Sequence, residues 1–177
     1  MQPKPTDFKG IFLYEPRLLT DARGSFFESF RSEWFNSSRF IQDNEATSVK
    51  GVVRGLHYQR APFAQTKLIR VLQGEVLDVI VDLRLSSETF GKVFSVRLSA
   101  ANKLQLLVPK GFAHGYATLS DTATVLYKVD QYYNPSHDTG IHPLSSSLGI
   151  DWGVSAPILS EKDTQLAEFD PSKTYFK

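Results

Sequence analysis

The sequence contains no cysteine. That excludes disulfides, thiolate nucleophiles and cysteine-based zinc sites, and it fits the cytoplasm. Neither sign of charge is in excess, since 20 basic and 19 acidic residues leave a formal net charge of +1. No long-range field favours nucleic acid or an anionic membrane as partner. A small anion held by a few local cations stays open. No apolar run approaches the length of a membrane span. Met1 to Asp7 lacks the apolar centre of a signal peptide. Histidine is scarce, with only four: His57, His114, His137 and His142. The chain is expected to be soluble and cytoplasmic.

Hydrophobic residues make up 41% and charged residues 22%, enough for one packed domain over residues 1–177. Residues 1–9 are polar, carry Pro3 and Pro5, and predict a flexible arm. Residues 11–14 read as an edge strand, 21–24 as a turn and 25–30 as an aromatic strand. Ser32 is placed to cap a short helix over 33–38, with Trp34 and Phe35 on its buried side. Further strands are expected at 52–59, 67–72, 76–83, 93–98, 104–108, 118–120 and 124–131. In 76–83 the odd positions are all apolar, which predicts one dry face and one mixed face. Residues 134–177 are loop-rich, with Ser160-Glu161-Lys162-Asp163 capping a short helix that continues through Leu166 and Phe169. Many short strands and almost no helix indicate an all-β fold, a barrel or double-sheet jelly roll with a few short helices.

Two segments carry chemistry. Val53-Arg54-Gly55-Leu56-His57-Tyr58-Gln59 sets a cation and an imidazole in strand-like sequence, where buried polar groups need partners. Strict alternation would send Arg54 and His57 to opposite faces, because they are three apart. Gly55 between them is the natural place for a bulge that unites them. The second segment, Pro109-x-Gly111-x-x-His114, resembles the second motif of the cupin superfamily, a jelly-roll fold. Metal-binding cupins carry His-x-His in the first motif. Here His57-Tyr58-Gln59 stands instead, so a three-histidine site is not spelled out and no metal is expected. His57 as base, Tyr127 as acid, and Lys67 and Arg54 as cations would suit proton transfer at a carbon beside a carbonyl. Asp163 or Asp78 would orient His57. A packed strand tyrosine at 127 and a histidine at 114 that merely caps the barrel are the simpler alternatives.

A wider pattern runs through nearly the whole chain. It comprises Asp-x-Arg-Gly-x-Phe-Phe-Glu at 21–28, Gln-Asp-Asn at 42–44, Arg-Gly-Leu-His-Tyr-Gln at 54–59 and Lys-Leu-Ile-Arg-Val at 67–71. Pro-x-Gly-Phe-Ala-His-Gly at 109–115, Tyr-Lys at 127–128, Tyr-Tyr-Asn-Pro at 132–135 and Leu-Ser-Glu-Lys-Asp at 159–163 follow in order. In these motifs the sequence resembles the dTDP-4-dehydrorhamnose 3,5-epimerase family, which belongs to the cupin superfamily. The resemblance implies a cupin-type jelly-roll barrel, no cofactor, and a dTDP-4-keto-6-deoxyhexose substrate inverted at C3 and C5 or at C3 alone. It implies His57 as base with Asp163 as its partner, Tyr127 as acid and Lys67 at the enolate oxygen. Arg54 and His114 would line the sugar and phosphate region. Arg23, Phe26 and Glu28 would reach the nucleotide from a neighbouring subunit, in a homodimer with exchanged N-terminal strands. Gln42, Asn44, Tyr133, Asp138 and Lys162 complete the implied binding set. The chain departs from the family at 141–147, at Trp152-Gly153, and at Asp138, where glutamate is common. Those departures border the substrate and leave the choice between 3,5- and 3-inversion open. A metal-dependent cupin enzyme and a non-catalytic sugar-nucleotide binding module are the alternative readings.

Overall fold

Short strands that are apolar on both faces can bury them only by stacking sheet on sheet under a further cover. The computed structural model has that architecture over its described residues, 2–35 and 38–176. In chain order come β1 (Gln2–Pro5), β2 (Phe12–Glu15), β3 (Leu19–Asp21) and β4 (Gly24–Phe26), then a 3-10 turn, Ser32–Phe35. Next are β5 (Gln42–Val49), β6 (Val53–Gln59), β7 (Lys67–Gln73), β8 (Glu75–Asp82) and β9 (Val93–Ser99). β10 (Gln105–Val108), β11 (Phe112–Thr118), β12 (Thr122–Val129), β13 (Asp138–Gly140) and the helix α1 (Glu161–Thr164) complete the order. A six-stranded sheet runs β1-β2-β10-β7-β12-β5, and a five-stranded sheet runs β13-β6-β11-β8-β9. Every strand pair in them is antiparallel, as the all-β reading requires. The two sheets face one another as a jelly roll.

Between the sheets lies a core that includes Ile69, Val71 and Val125 from one side and Val76, Ile80 and Phe112 from the other. A second cluster covers the outer face of the five-stranded sheet. There Val79, Val81 and Leu83 meet Ile141, Trp152 and Phe169. The C-terminal segment is therefore a cover as well as a loop region. It is tied on by parallel bridges of Val52 to Ile158 and Arg84 to Phe176. The cover buries the odd, apolar face of β8, and the mixed even face, with Asp78 and Asp82, turns toward the other sheet. Both sides of β8 are dry, and Asp78 and Asp82 survive at 0% exposure because each is hydrogen-bonded.

Several expectations change in the structure. Residues 2–5 of the expected arm form β1, whose prolines sit on the edge of the sheet, where a missing N–H leaves no ladder bond open. The segment expected as an edge strand becomes β2, an interior strand between β1 and β10. The aromatic strand ends at Phe26, in an exposed two-stranded hairpin with β3. Ser32 opens a 3-10 turn instead of capping an α-helix, and the last part of that expected helix includes residues outside those described. The Pro-x-Gly-x-x-His segment enters β11, and residues 119–121 make the turn after it. Helix α1 stops at Thr164, short of Leu166, although Ser160 caps it as expected.

Candidate active site

The site begins with the irregularity of β6. On β11, His114 pairs with His57 and Tyr116 pairs with Arg54. Two steps along β11 thus match three along β6, so one extra residue bulges out. Gly55 permits it, with φ of +122°, a conformation open to glycine. A Cβ there would lie 2.6 Å from the Cα of Gly115 and 2.8 Å from the carbonyl oxygen of His114. The bulge restores parity, and Arg54 and His57 line one cavity of about 500 Å³. Lys67 from β7, His114 and Tyr116 from β11, Tyr127 from β12, and Lys162 and Asp163 from α1 line it too.

Asp163 meets His57. Its Oδ1 lies 2.6 Å from His57 Nε2, and its Oδ2 accepts from the Gly55 N–H at 3.5 Å. The Ser160 hydroxyl accepts from the Asp163 N–H at 3.1 Å, so the helix cap fixes the carboxylate. Burial pushes the Asp163 carboxyl up, but bonds from His57, Ser160 and Gly55 outweigh it and hold the group below its usual range. An ionised carboxylate only accepts, so His57 Nε2 carries the hydrogen and Nδ1 keeps a lone pair. Asp78, the other possible partner, lies with His114 instead, its two oxygens 2.9 and 3.0 Å from Nε2. His114 therefore bonds a side chain and is not a simple backbone cap.

Lys67 has no hydrogen-bond partner among the described residues. Desolvation lowers it to about 8, although the charges of Asp138 and Asp78 pull the other way. Burial likewise raises the Tyr127 phenol, and Tyr116 nearby raises it further. Arg54 Nε donates to Ser48 Oγ at 2.9 Å. Asp138 accepts from Lys162 Nζ and from the Tyr133 hydroxyl, the latter at 3.3 Å. Gln42 donates to Asn44 at 2.9 Å and accepts from the Tyr133 N–H at 3.3 Å.

Three of the candidate residues stand apart. Arg23 pairs with Asp21 on the β3–β4 hairpin, Phe26 is 68% exposed there, and Glu28 pairs with Arg31. None of the three lines the cavity; Gln42, Asn44, Tyr133 and Asp138 do not line it either, but Asp138 bonds Lys162, which does. Tyr116 lines the site and Ser48 supports it through Arg54, and neither is among the candidates read from the sequence; Ser160, expected only as a helix cap, lines it too. Tyr116 is legible in retrospect, since it lies two residues beyond His114 and shares its face. Gln59, where a second metal-ligating histidine would stand, bonds the carbonyls of Phe63 and Tyr132. Among the described residues no three histidine or acidic side chains converge to hold a metal ion. Also among them, no helix is long and apolar enough to cross a membrane.

Comparison with known proteins agrees with this geometry. The family model described as dTDP-4-dehydrorhamnose 3,5-epimerase matches residues 5–170. The enzyme of that name from Shigella flexneri is 46% identical over 169 residues, covering 93% of each chain. The crystal structure of the Bacillus anthracis enzyme, with TDP and PPi bound, superposes with a TM-score of 0.92 at 47% identity, covering 95% of this chain and 99% of that one. A dTDP-4-dehydrorhamnose 3-epimerase from Streptomyces niveus is 34% identical over 168 residues, covering 92% of this chain and 81% of its own. The cavity, the jelly roll that builds it and these relatives together place the chain in the dTDP-4-dehydrorhamnose 3,5-epimerase family.

Proposed function

We propose that the protein epimerises a dTDP-4-keto-6-deoxyhexose at C3 and C5, or at C3 alone, without a cofactor. The observation that carries the reading is one cavity holding the His57–Asp163 pair, Lys67 and Tyr127. The ketone acidifies the neighbouring C–H. His57 takes that proton on Nδ1, and the charge of Asp163 stabilises the imidazolium that forms. Electron density moves onto the keto oxygen, where the Lys67 ammonium offsets the developing charge. Tyr127 returns a proton to the opposite face of the carbon, and the centre is inverted. Arg54 and Lys162 supply positive charge for a sugar diphosphate, and His114 lines the same region.

The exposed hairpin supports the remainder of the reading. Arg23, Phe26 and Glu28 do not line the cavity that holds His57, and they are suited to reach the corresponding cavity of a second copy. The functional unit is then a homodimer with exchanged N-terminal strands. A cytoplasmic location belongs to the same reading, because a charged sugar nucleotide does not cross a bilayer unaided.

Incubation with dTDP-4-keto-6-deoxyglucose in deuterated water, followed by proton NMR, tests the chemistry. Deuterium at C3 and C5, or at C3 alone, with an inverted product is the expected result. A wild-type protein that binds the sugar nucleotide and exchanges no proton would sink the proposal. Light scattering tests the assembly, and a monomer at working concentration would contradict it.

A further inference from the structure

Arg54 is a long side chain on an exposed position of β6, in the five-stranded sheet, yet it is held at two points. Its Nε donates to Ser48 Oγ at 2.9 Å, and its Nη2 donates to the Thr47 carbonyl at 3.4 Å. Both acceptors belong to β5, at the edge of the other sheet. They are themselves fixed. Ser48 is 5% exposed, and its hydroxyl also lies 3.4 Å from the Tyr116 hydroxyl. Thr47 Oγ1 lies 3.0 Å from Thr124 Oγ1 on β12.

A guanidinium is a rigid, planar fork of five N–H donors. Nε and Nη2 make one edge of the fork, and β5 takes up that edge. The other edge, Nη1 with the second hydrogen of Nη2, bonds no described residue. Arg54 lines the cavity, so that edge is available to a ligand there. Two parallel N–H groups match two oxygens of a phosphate. An exposed arginine loses rotamer freedom when it grips an anion, and bonds to a buried strand position lower that cost in advance.

We propose that Ser48 is a positioning residue for anion binding: its hydroxyl, with the Thr47 carbonyl, holds one edge of the Arg54 guanidinium so that the other edge meets two oxygens of a nucleoside diphosphate. Ser48 acts through Arg54, and no covalent bond changes. The inference rests on the reading above that a sugar diphosphate occupies the cavity, and it concerns binding, not proton transfer.

Calorimetric titration with dTDP, beside steady-state kinetics, tests it. Ser48→Ala should raise the Kd for dTDP roughly 3- to 10-fold, the factor for one hydrogen bond. KM should rise in step, with a smaller change in kcat. Ser48→Thr, which keeps the hydroxyl, should restore binding. A general packing defect would not act through one side chain, so in an Arg54→Ala background the Ser48→Ala loss should vanish. A Ser48→Ala protein that binds dTDP as tightly as wild type overturns the proposal, as does a loss that persists undiminished without Arg54. Where Ser48→Ala does not fold, Arg54→Lys decides, because an ammonium cannot hold β5 and offer a fork at once. Weaker dTDP binding then supports the proposal, and an unchanged Kd overturns it. A wild-type protein that does not bind dTDP refutes the diphosphate reading itself, whereas tight wild-type binding with no effect of Ser48→Ala refutes this inference alone.

Discussion

Asp163 Oδ1 lies 2.6 Å from Nε2 of His57, across 106 residues of chain. The carboxylate fixes which ring nitrogen keeps a free lone pair, so under the proposed mechanism its charge matters more than its shape. Asp163→Asn keeps the volume and the Ser160 cap but allows the wrong tautomer. We expect kcat to fall by roughly 10²- to 10⁴-fold, with solvent exchange lost in parallel. Exchange at the wild-type rate in the variant, followed by NMR, would refute the pairing as the source of basicity.

Lys67 sets a limit on the alkaline side. Its cation is lost as pH rises through about 8, so activity should decline there. Stability runs the other way. A lysine lowered in the folded state makes the unfolded chain bind more protons between about 8 and its free value near ~10.4, so stability rises across that window. Lys67→Met should therefore lower activity by roughly 10²- to 10³-fold and stabilise the fold by about 1–3 kcal/mol at neutral pH. Urea unfolding beside steady-state assays checks both halves. A variant that is less stable and fully active would contradict both.

Tyr127→Phe removes one hydroxyl from the wall between core and cavity. The fold should be spared, and product formation should drop by roughly 10²- to 10⁴-fold. Exchange at C3 should persist, because His57 and Asp163 still remove the proton. Near-normal epimerisation would remove Tyr127 from the acid role.

Gly55→Ala puts a Cβ against Gly115 and the His114 carbonyl at a φ of +122°. Backbone on one side of the clash cannot yield as a side chain would. A loss of about 2–4 kcal/mol is expected, with activity reduced in whatever folded protein remains. A midpoint of denaturation within error of wild type would show that the bulge tolerates an L-residue.

Much of this was legible in the residues. The turns, the jelly roll and the bulge at Gly55 follow from alternation and its local failure, since Arg54 and His57 cannot otherwise share a face. The choice between Asp163 and Asp78 could not be made from pattern alone. It depends on where the C-terminal cover lays α1 against β6, which no local period encodes. The family resemblance favoured Asp163, and the structure puts Asp163 on His57. The strand at Gln2–Pro5 was hidden because proline reads as a breaker, and only its place at a sheet edge makes it tolerable. The mixed face of β8 was legible, with Asp78 and Asp82 beside Val76 and Ile80, but its burial depends on the second sheet, which no local pattern specifies. Arg23, Phe26 and Glu28 are the converse case. Their motif was plain in sequence, yet within the chain they form only surface ion pairs and a shallow hairpin pocket, away from His57.

The distance along the chain between His57 and Asp163 also has a consequence in time. A ribosome adds about 5–20 residues per second, so the imidazole precedes its carboxylate by roughly 5–20 s. Within that interval Tyr127 follows His57 by 70 residues (127 − 57) and Lys162 by 105 (162 − 57), so the cavity wall accumulates while the imidazole stays unpaired. Helix α1, which brings Asp163 to His57, is complete only after that interval. A chain cut short before it would present the cavity without the means to drive the reaction, so activity itself reports that synthesis has passed residue 163.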